Sequence, residues 1–297
     1  MDLLQKKIMY QLSAVNTERE LKEFRHIFES GNLSNRKLEN TQVIKLLRRL
    51  LESEEKSFTR TLAAGTELFR CRKLPIRDIS LSGIISYDSE SNQISGYDSY
   101  DSKEPPITIS GAARNNIQGS SYLYLAEDEY TACAEIHPHN FDIISLAKFR
   151  IKNGLKMFDL TVNSNFNQYD DPESMILVTK LISGIMSASY FPVANDKEYM
   201  MSQYISDFIR KYGYDCICYL SSMTFNKNYT IFSCGENNIE FISSELVENY
   251  RTNFELYKIN DSSKVSIKVH GNYPEVPNEK LKSLMIKRIR EDEQWNH

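Results

Sequence analysis

The stretch that most constrains this chain is 111–139, GAARNNIQGSSYLYLAEDEYTACAEIHPH, which changes period from two to about three and a half within a few residues. Tyr122-Leu123-Tyr124-Leu125 alternates aromatic and aliphatic side chains, so the sequence predicts a strand with both tyrosines on one face. Glu127, Asp128 and Glu129 then supply the acidic start that a helix macrodipole favours. Thr131, Ala132, Cys133 and Ala134 are small enough for that helix to lie close against a sheet. Glu135 falls in its last turn, where the dipole disfavours a carboxylate. A local rule broken beside a sheet marks a candidate functional position.

Composition excludes several classes. At 297 residues and 41% hydrophobic content the chain can bury a large core, as one main domain with an accessory piece. A net charge of −4 gives no nucleic-acid groove. Charged residues at Asp2, Lys6 and Lys7 argue against a signal peptide, and no window of 18 apolar residues argues for a membrane span. The five cysteines (Cys71, Cys133, Cys216, Cys218, Cys234) are read as reduced core residues, and the expected location is cytoplasmic.

The expected organisation is a helical N-terminal region over 1–58, a main domain over 59–270 and an amphipathic helical tail over 271–297. Thr17 is the expected cap of a helix over 18–30 that closes at Gly31. In 40–55, Val43, Leu46, Leu47, Leu50 and Leu51 form one stripe, which needs either the main domain or a second chain as its cover. Within 67–72, alternation puts Phe69 and Cys71 on one strand face and Arg70 and Arg72 on the other. Two arginines on one face can grip a pyrophosphate or form a solvated edge.

Residues 80–110 are rich in Ser, Asp and Tyr without an apolar period, and are read as a long loop insertion. Further on, 143–149 and 156–160 read as strands, 172–188 as a helix, and Asn195 as the cap of a helix running to Lys211. Gly213 ends that helix, and strands at 214–219 and 229–233 make a hairpin. Residues 239–270 are expected to hold a short helix and one or two strands. Glu127-Asp128-Glu129 imitates a Glu-x-Glu signature, but a helix start explains it more simply. His137-Pro138-His139 and Cys216-Ile217-Cys218 lack structural-zinc spacing, so no metal is assigned. No phosphate-binding loop, dinucleotide fingerprint or His-Glu-x-x-His occurs.

In order, Leu68-Phe69-Arg70, Arg114, Tyr124 in YLYLA, Glu135 in TACAE eleven residues later, and Ser221 after Tyr219-Leu220 resemble the RES domain family. The family is named for an arginine, a glutamate and a serine. Ala113 before Arg114 and Asn115 after it depart from the family's usual loop. The resemblance spans about 66–235. It implies an α+β fold with an ADP-ribosyltransferase-like mixed, bent sheet and flanking helices, and a toxin of a toxin–antitoxin pair that consumes NAD+.

It also implies roles. Glu135 stabilises an oxocarbenium-like transition state, and Arg70 and Arg114 hold the pyrophosphate, with Arg72 as substitute. Tyr124 stacks on nicotinamide or ribose. Ser221 hydrogen-bonds the ribose or carboxamide, with Ser222 as the neighbouring choice of register. A nucleophilic Ser221 is disfavoured because no Gly-x-Ser-x-Gly elbow surrounds it. Expected partners are NAD+ as substrate, with no further cofactor, an antitoxin, and a second copy through the N-terminal helices. Alternatives are an ADP-ribosyltransferase acting on protein, and a sensor that binds ADP-ribose or NAD+ without turnover.

Overall fold

The computed structural model describes residues 19–20, 22–30, 35–52, 54, 58–74, 87–88, 93–161, 199–232, 235, 237–249, 255–256 and 267–268. A helical run over 22–29 precedes α1 (Asn35–Glu39) and α2 (Gln42–Glu52). The strands are β1 (Thr59–Leu62), β2 (Glu67–Lys73), β3 (Tyr87–Asp88), β4 (Gln93–Ile94), β5 (Leu123–Ala126), β6 (Ile143–Ile151), β7 (Leu155–Asp159), β8 (Cys216–Leu220), β9 (Lys227–Ile231), β10 (Ile239–Glu248), β11 (Glu255–Leu256) and β12 (Ile267–Lys268). The remaining helices are α3 (Ser99–Ser102), α4 (Glu129–Glu135) and α5 (Met200–Lys211). The class is α+β.

Eight strands form one mixed sheet in the order β1, β7, β8, β9, β5, β2, β6, β10. β7 and β8 run parallel, and every other neighbouring pair is antiparallel. Period-two patterning sorts side chains to its two faces. On one face Tyr122 and Tyr124, Phe158, and Ile217 and Tyr219 join a core with the N-terminal helices and α5. On the other, Leu123 and Leu125, Met157, and Cys216 and Cys218 pack with Leu68, Phe149 and Ile231. The expected pairing of the two tyrosines on one strand face is therefore what the sheet contains.

The stripe on α2 is covered by the chain itself. Val43, Leu46, Leu47, Leu50 and Leu51 share one core with Phe158, Ile205, Phe208 and Ile217. The stripe is thus unavailable as the face of a dimer. Gly213 ends α5 at a φ of 78°, the left-handed position that glycine takes without strain. β8 and β9 form the expected hairpin, with Tyr219 opposite Asn228 and Ile217 opposite Thr230.

One expectation changes. The span read as a loop insertion holds the β3–β4 pair and α3, whose cap Asp98 accepts from the backbone N–H groups of Tyr100 and Asp101. This segment is bound to the sheet: Tyr97 N–H donates to Ser145 Oγ at 2.8 Å, and Ser244 Oγ donates to the Tyr97 carbonyl at 2.6 Å. Of the short helix and one or two strands expected in 239–270, the described residues hold strands, the first of them ten residues long over 239–248. Its register shifts between Phe241 and Ser243, and that bulge breaks the alternation by which a strand is recognised. Thr17, Gly31, 172–188, Asn195 and 271–297 lie outside the described residues.

Leu47 is fully buried between α2 and the sheet. Leu47→Ala should cost about 2–5 kcal/mol of unfolding free energy in a denaturant titration. An unchanged midpoint would mean that α2 contributes no packing to the main core.

Candidate active site

The site begins with register. Asn228 on β9 is opposite both Tyr219 on β8 and Ala126 on β5, and Ala126 is opposite Phe69 on β2. Thr230 is likewise opposite Ile217 and Tyr124. Directly opposed residues share a face. Asn228 and Thr230 are therefore buried polar groups on the face that carries Tyr124 and Tyr219, while Tyr229 and Ile231 fill the other core.

α4 lies across this face. Asp128 caps it, accepting from Thr131 N–H at 2.7 Å and Thr131 Oγ1 at 2.9 Å, and a further bond from Asn226 Nδ2 at 3.0 Å ties the cap to the β8–β9 turn. Glu127 Oε1 accepts from Lys227 N–H at 2.7 Å. Asp128 thus serves the helix start, with Glu129 in the first turn, while Glu127 ties the end of β5 to β9. α4 ends beside Glu135, and His137 at a φ of 46° turns the chain away.

At that end Glu135 Oε1 accepts from Ser221 Oγ at 2.6 Å and from Asn228 Nδ2 at 2.7 Å. Ser221 is fully buried, and its Oγ is held by Met223 N–H at 3.1 Å and Thr224 N–H at 3.2 Å. The turn that carries it closes through Ser221 N–H to the Asn226 carbonyl and Phe225 N–H to the Ser221 carbonyl. Ser222 sits half-exposed in the same turn. The structure thus joins Glu135 to Ser221 rather than to Ser222, and adds Asn228.

Glu135, Tyr124, Tyr219, Asn228 and Ala126 line a cleft of about 250 Å³. Tyr124 presents its ring there with its hydroxyl already engaged, accepting from Asn115 N–H at 3.0 Å and donating to Asn116 Oδ1 at 2.7 Å. Burial pushes the Tyr124 and Tyr219 hydroxyls above the ordinary tyrosine range, and the charge of Arg114 opposes the shift at both. Arg114 therefore brings a positive charge to the tyrosine side of the cleft. Its loop is fixed from behind, since Ser202 Oγ donates to the Arg114 carbonyl and Gln203 Nε2 donates to that of Ala113.

Arg70 and Arg72 bond to the protein's own backbone. Alternation turns Phe69 and Cys71 to α4, where they pack with Ala132, Cys133 and Ile136, and sends the arginines to the opposite face. Arg70 Nη1 donates to the carbonyls of Ser102 and Lys103 at 3.1 and 2.6 Å. Arg72 donates to the carbonyls of Asp101 and Lys103. Burial lowers the pKa of Arg72. Arg70 still forms part of the cleft wall, whereas Arg72 is not among its lining residues. Both arginines thus clamp the backbone at the C-terminal end of α3. His139 stands beside Asp142 and Lys73, and Cys216 and Cys218 face the core, so the two pairs weighed for zinc serve separate regions.

The family model of the RES domain matches residues 95–245. The chain belongs to the RES domain family. The matched span contains Arg114, Tyr124, Glu135 and Ser221, and begins beyond Arg70 and Arg72. It includes α3 and its neighbours, so the second half of the supposed insertion is part of the RES domain. Among solved structures the chain is similar to the M. tuberculosis MbcT–MbcA toxin–antitoxin complex, at a TM-score of 0.37 and 7% identity over 69% of this chain and 93% of that chain. No curated protein matches the chain. Asn228 was missed by sequence reasoning; its only signal is that Asn228 and Thr230 alternate with apolar residues in a strand flanked by core strands. Among the described residues no helix is long and apolar enough to cross a membrane.

Removing the α4 cap should loosen the helix that presents Glu135. Asp128→Ala should cost about 1–2 kcal/mol in chemical denaturation, near the upper range for a cap because Asn226 loses its partner as well. A loss no larger than that of an exposed carboxylate would show that the cap does not hold α4.

Proposed function

We propose that this RES domain breaks the bond between nicotinamide and ribose in NAD+, and acts as a toxin or abortive-defence effector on the NAD+ pool of the cytoplasm. The observation that carries this reading is the Glu135 carboxylate, anchored by Ser221 and Asn228 through Oε1 alone in a cleft walled by Tyr124 and Tyr219. Neither bond occupies Oε2, so a fixed negative charge remains to meet positive charge developing on the ribose.

Nicotinamide leaves as a neutral molecule, and the sugar passes through an oxocarbenium-like transition state, as in glycoside hydrolysis. A preorganised carboxylate in a site sheltered from water stabilises that cation without reorganising during the reaction. Glu135 also stands as the group to orient or deprotonate the acceptor. The cleft, about 250 Å³, is near the lower end of small-molecule sites, and suits the nicotinamide-ribose half of the dinucleotide. Tyr124 offers a ring face for stacking whose position is set by Asn115 and Asn116. Arg114 is the cation assigned to the pyrophosphate, because its charge acts on the cleft tyrosines.

Ser221 orients Glu135, consistent with the absence of a nucleophile elbow. Water as acceptor makes the protein a glycohydrolase, inorganic phosphate makes it a phosphorylase, and a protein side chain makes it a transferase. An antitoxin is the proposed regulator.

Purified protein should release nicotinamide from NAD+, measured by chromatography with and without inorganic phosphate. Glu135→Gln keeps the shape but removes the charge, and should lower turnover by about 100-fold or more. Near-normal turnover in the folded Glu135→Gln protein, or no release by wild type in either buffer, would sink the reading. Asn228→Ala leaves Ser221 as the only anchor of the pair, and should lower kcat more than it raises KM.

A further inference from the structure

Cys71 stands in the wall of the same cleft and Cys133 lies directly behind it on α4, both outside the proposed chemistry. Cys71 is on β2, buried, and lines the cleft. Cys133 is on α4, half-buried, two residues before Glu135. Both belong to the small core that α4 forms with the sheet, alongside Phe69, Ala126, Ala132 and Leu146. Both are free thiols, and their Sγ atoms are 3.0 Å apart. That separation is inside ordinary sulfur contact and about 1 Å longer than a disulfide bond. α4 packs closely on β2 because Thr131, Ala132 and Cys133 are small, so the remaining approach needs only a slight shift of the helix.

We propose that Cys71 and Cys133 are a reversible oxidation site, which closes to an intramolecular disulfide and staples the helix carrying Glu135 to β2. The two sulfurs are chemically unequal. The hydrogen bond between them lowers the pKa of Cys133 and raises that of Cys71, which burial raises further. Cys133 is also the more exposed of the two, so it is the attacking thiolate and Cys71 the resolving thiol.

With a small disulfide as oxidant, the Cys133 thiolate attacks one oxidant sulfur and expels the other half as a thiolate. Cys71 then loses its proton and attacks Cys133 Sγ, releasing the second half. The protein gives up two electrons and two protons, and the oxidant leaves as two thiols. A dithiol reductant reverses both steps.

The test treats folded full-length protein with oxidised glutathione, blocks remaining thiols with an alkylating reagent, and maps peptides by mass spectrometry. The expected product is a Cys71–Cys133 cross-linked peptide that dithiothreitol abolishes. C71S should instead trap glutathione on Cys133, and C133S should leave Cys71 unmodified. Cys71 and Cys133 both still open to alkylation after oxidation of the wild type, or a stable glutathione adduct on wild-type Cys133, would overturn the proposal. The readout involves no NAD+, so its failure is separate from any failure of the proposed activity.

Discussion

The hydrogen bond from Ser221 to Glu135 is the contact on which the site depends. It joins the C-terminal end of α4 to the turn between β8 and β9, two elements far apart in sequence. A carboxylate at a helix C-terminus is opposed by the dipole by about 0.3–1 kcal/mol. A hydrogen bond to a charged group contributes about 1.5–3 kcal/mol, and Glu135 receives two. The bonds win, so the local rule is broken without unfolding the helix end. The same turn returns a bond from Asn226 to the cap Asp128, so both ends of α4 are tied to one hairpin.

The sheet explains why the cleft is where it is. On the Tyr124 face, helical cover comes from α2 and α5 at one side and α4 at the other. Asn228 and Thr230 lie where apolar strands would otherwise continue. Each buried polar group there has a partner: Asn228 binds Glu135, and Thr230 accepts from Asn115 Nδ2 at 2.6 Å. Thr230 thereby anchors the loop that holds the Tyr124 hydroxyl and carries Arg114. One polar face of an inner strand thus positions Glu135, the Tyr124 ring and the Arg114 loop together.

Some of this was legible in the sequence because it rests on local periods. The Tyr122–Leu125 alternation, the small-residue helix and the strand after Gly213 each announce themselves within a few residues. Glu135 and Ser221 could be named because the family order marks them. Asn228 could not, since its importance comes from lying opposite Tyr219, and register between strands is not written in either strand alone. Arg70 and Arg72 show the same limit from another side. Their shared face, opposite Cys71, follows from alternation, but which sheet face carries the cleft is a tertiary fact. The α3 segment was hidden for a compositional reason: Asp98 is a good cap, but its helix is only four residues long within a run of Ser, Asp and Tyr.

The arginine clamp gives the far face of β2 a part in holding the near face. Arg70 and Arg72 fix the backbone at 101–103, and Tyr97 in the same segment is bound by β6 and β10 side chains. β2 is therefore gripped from behind along the stretch where it meets β5 only at Phe69 and Ala126. On its other side β2 pairs with β6 along its whole length, and the clamp adds to that hold in keeping Cys71 and Phe69 seated under α4. The restraint passes through the sheet to the helix, and from the helix to Glu135. Arginines on the sheet face away from Tyr124 thus stiffen the wall against which the Glu135 carboxylate is placed.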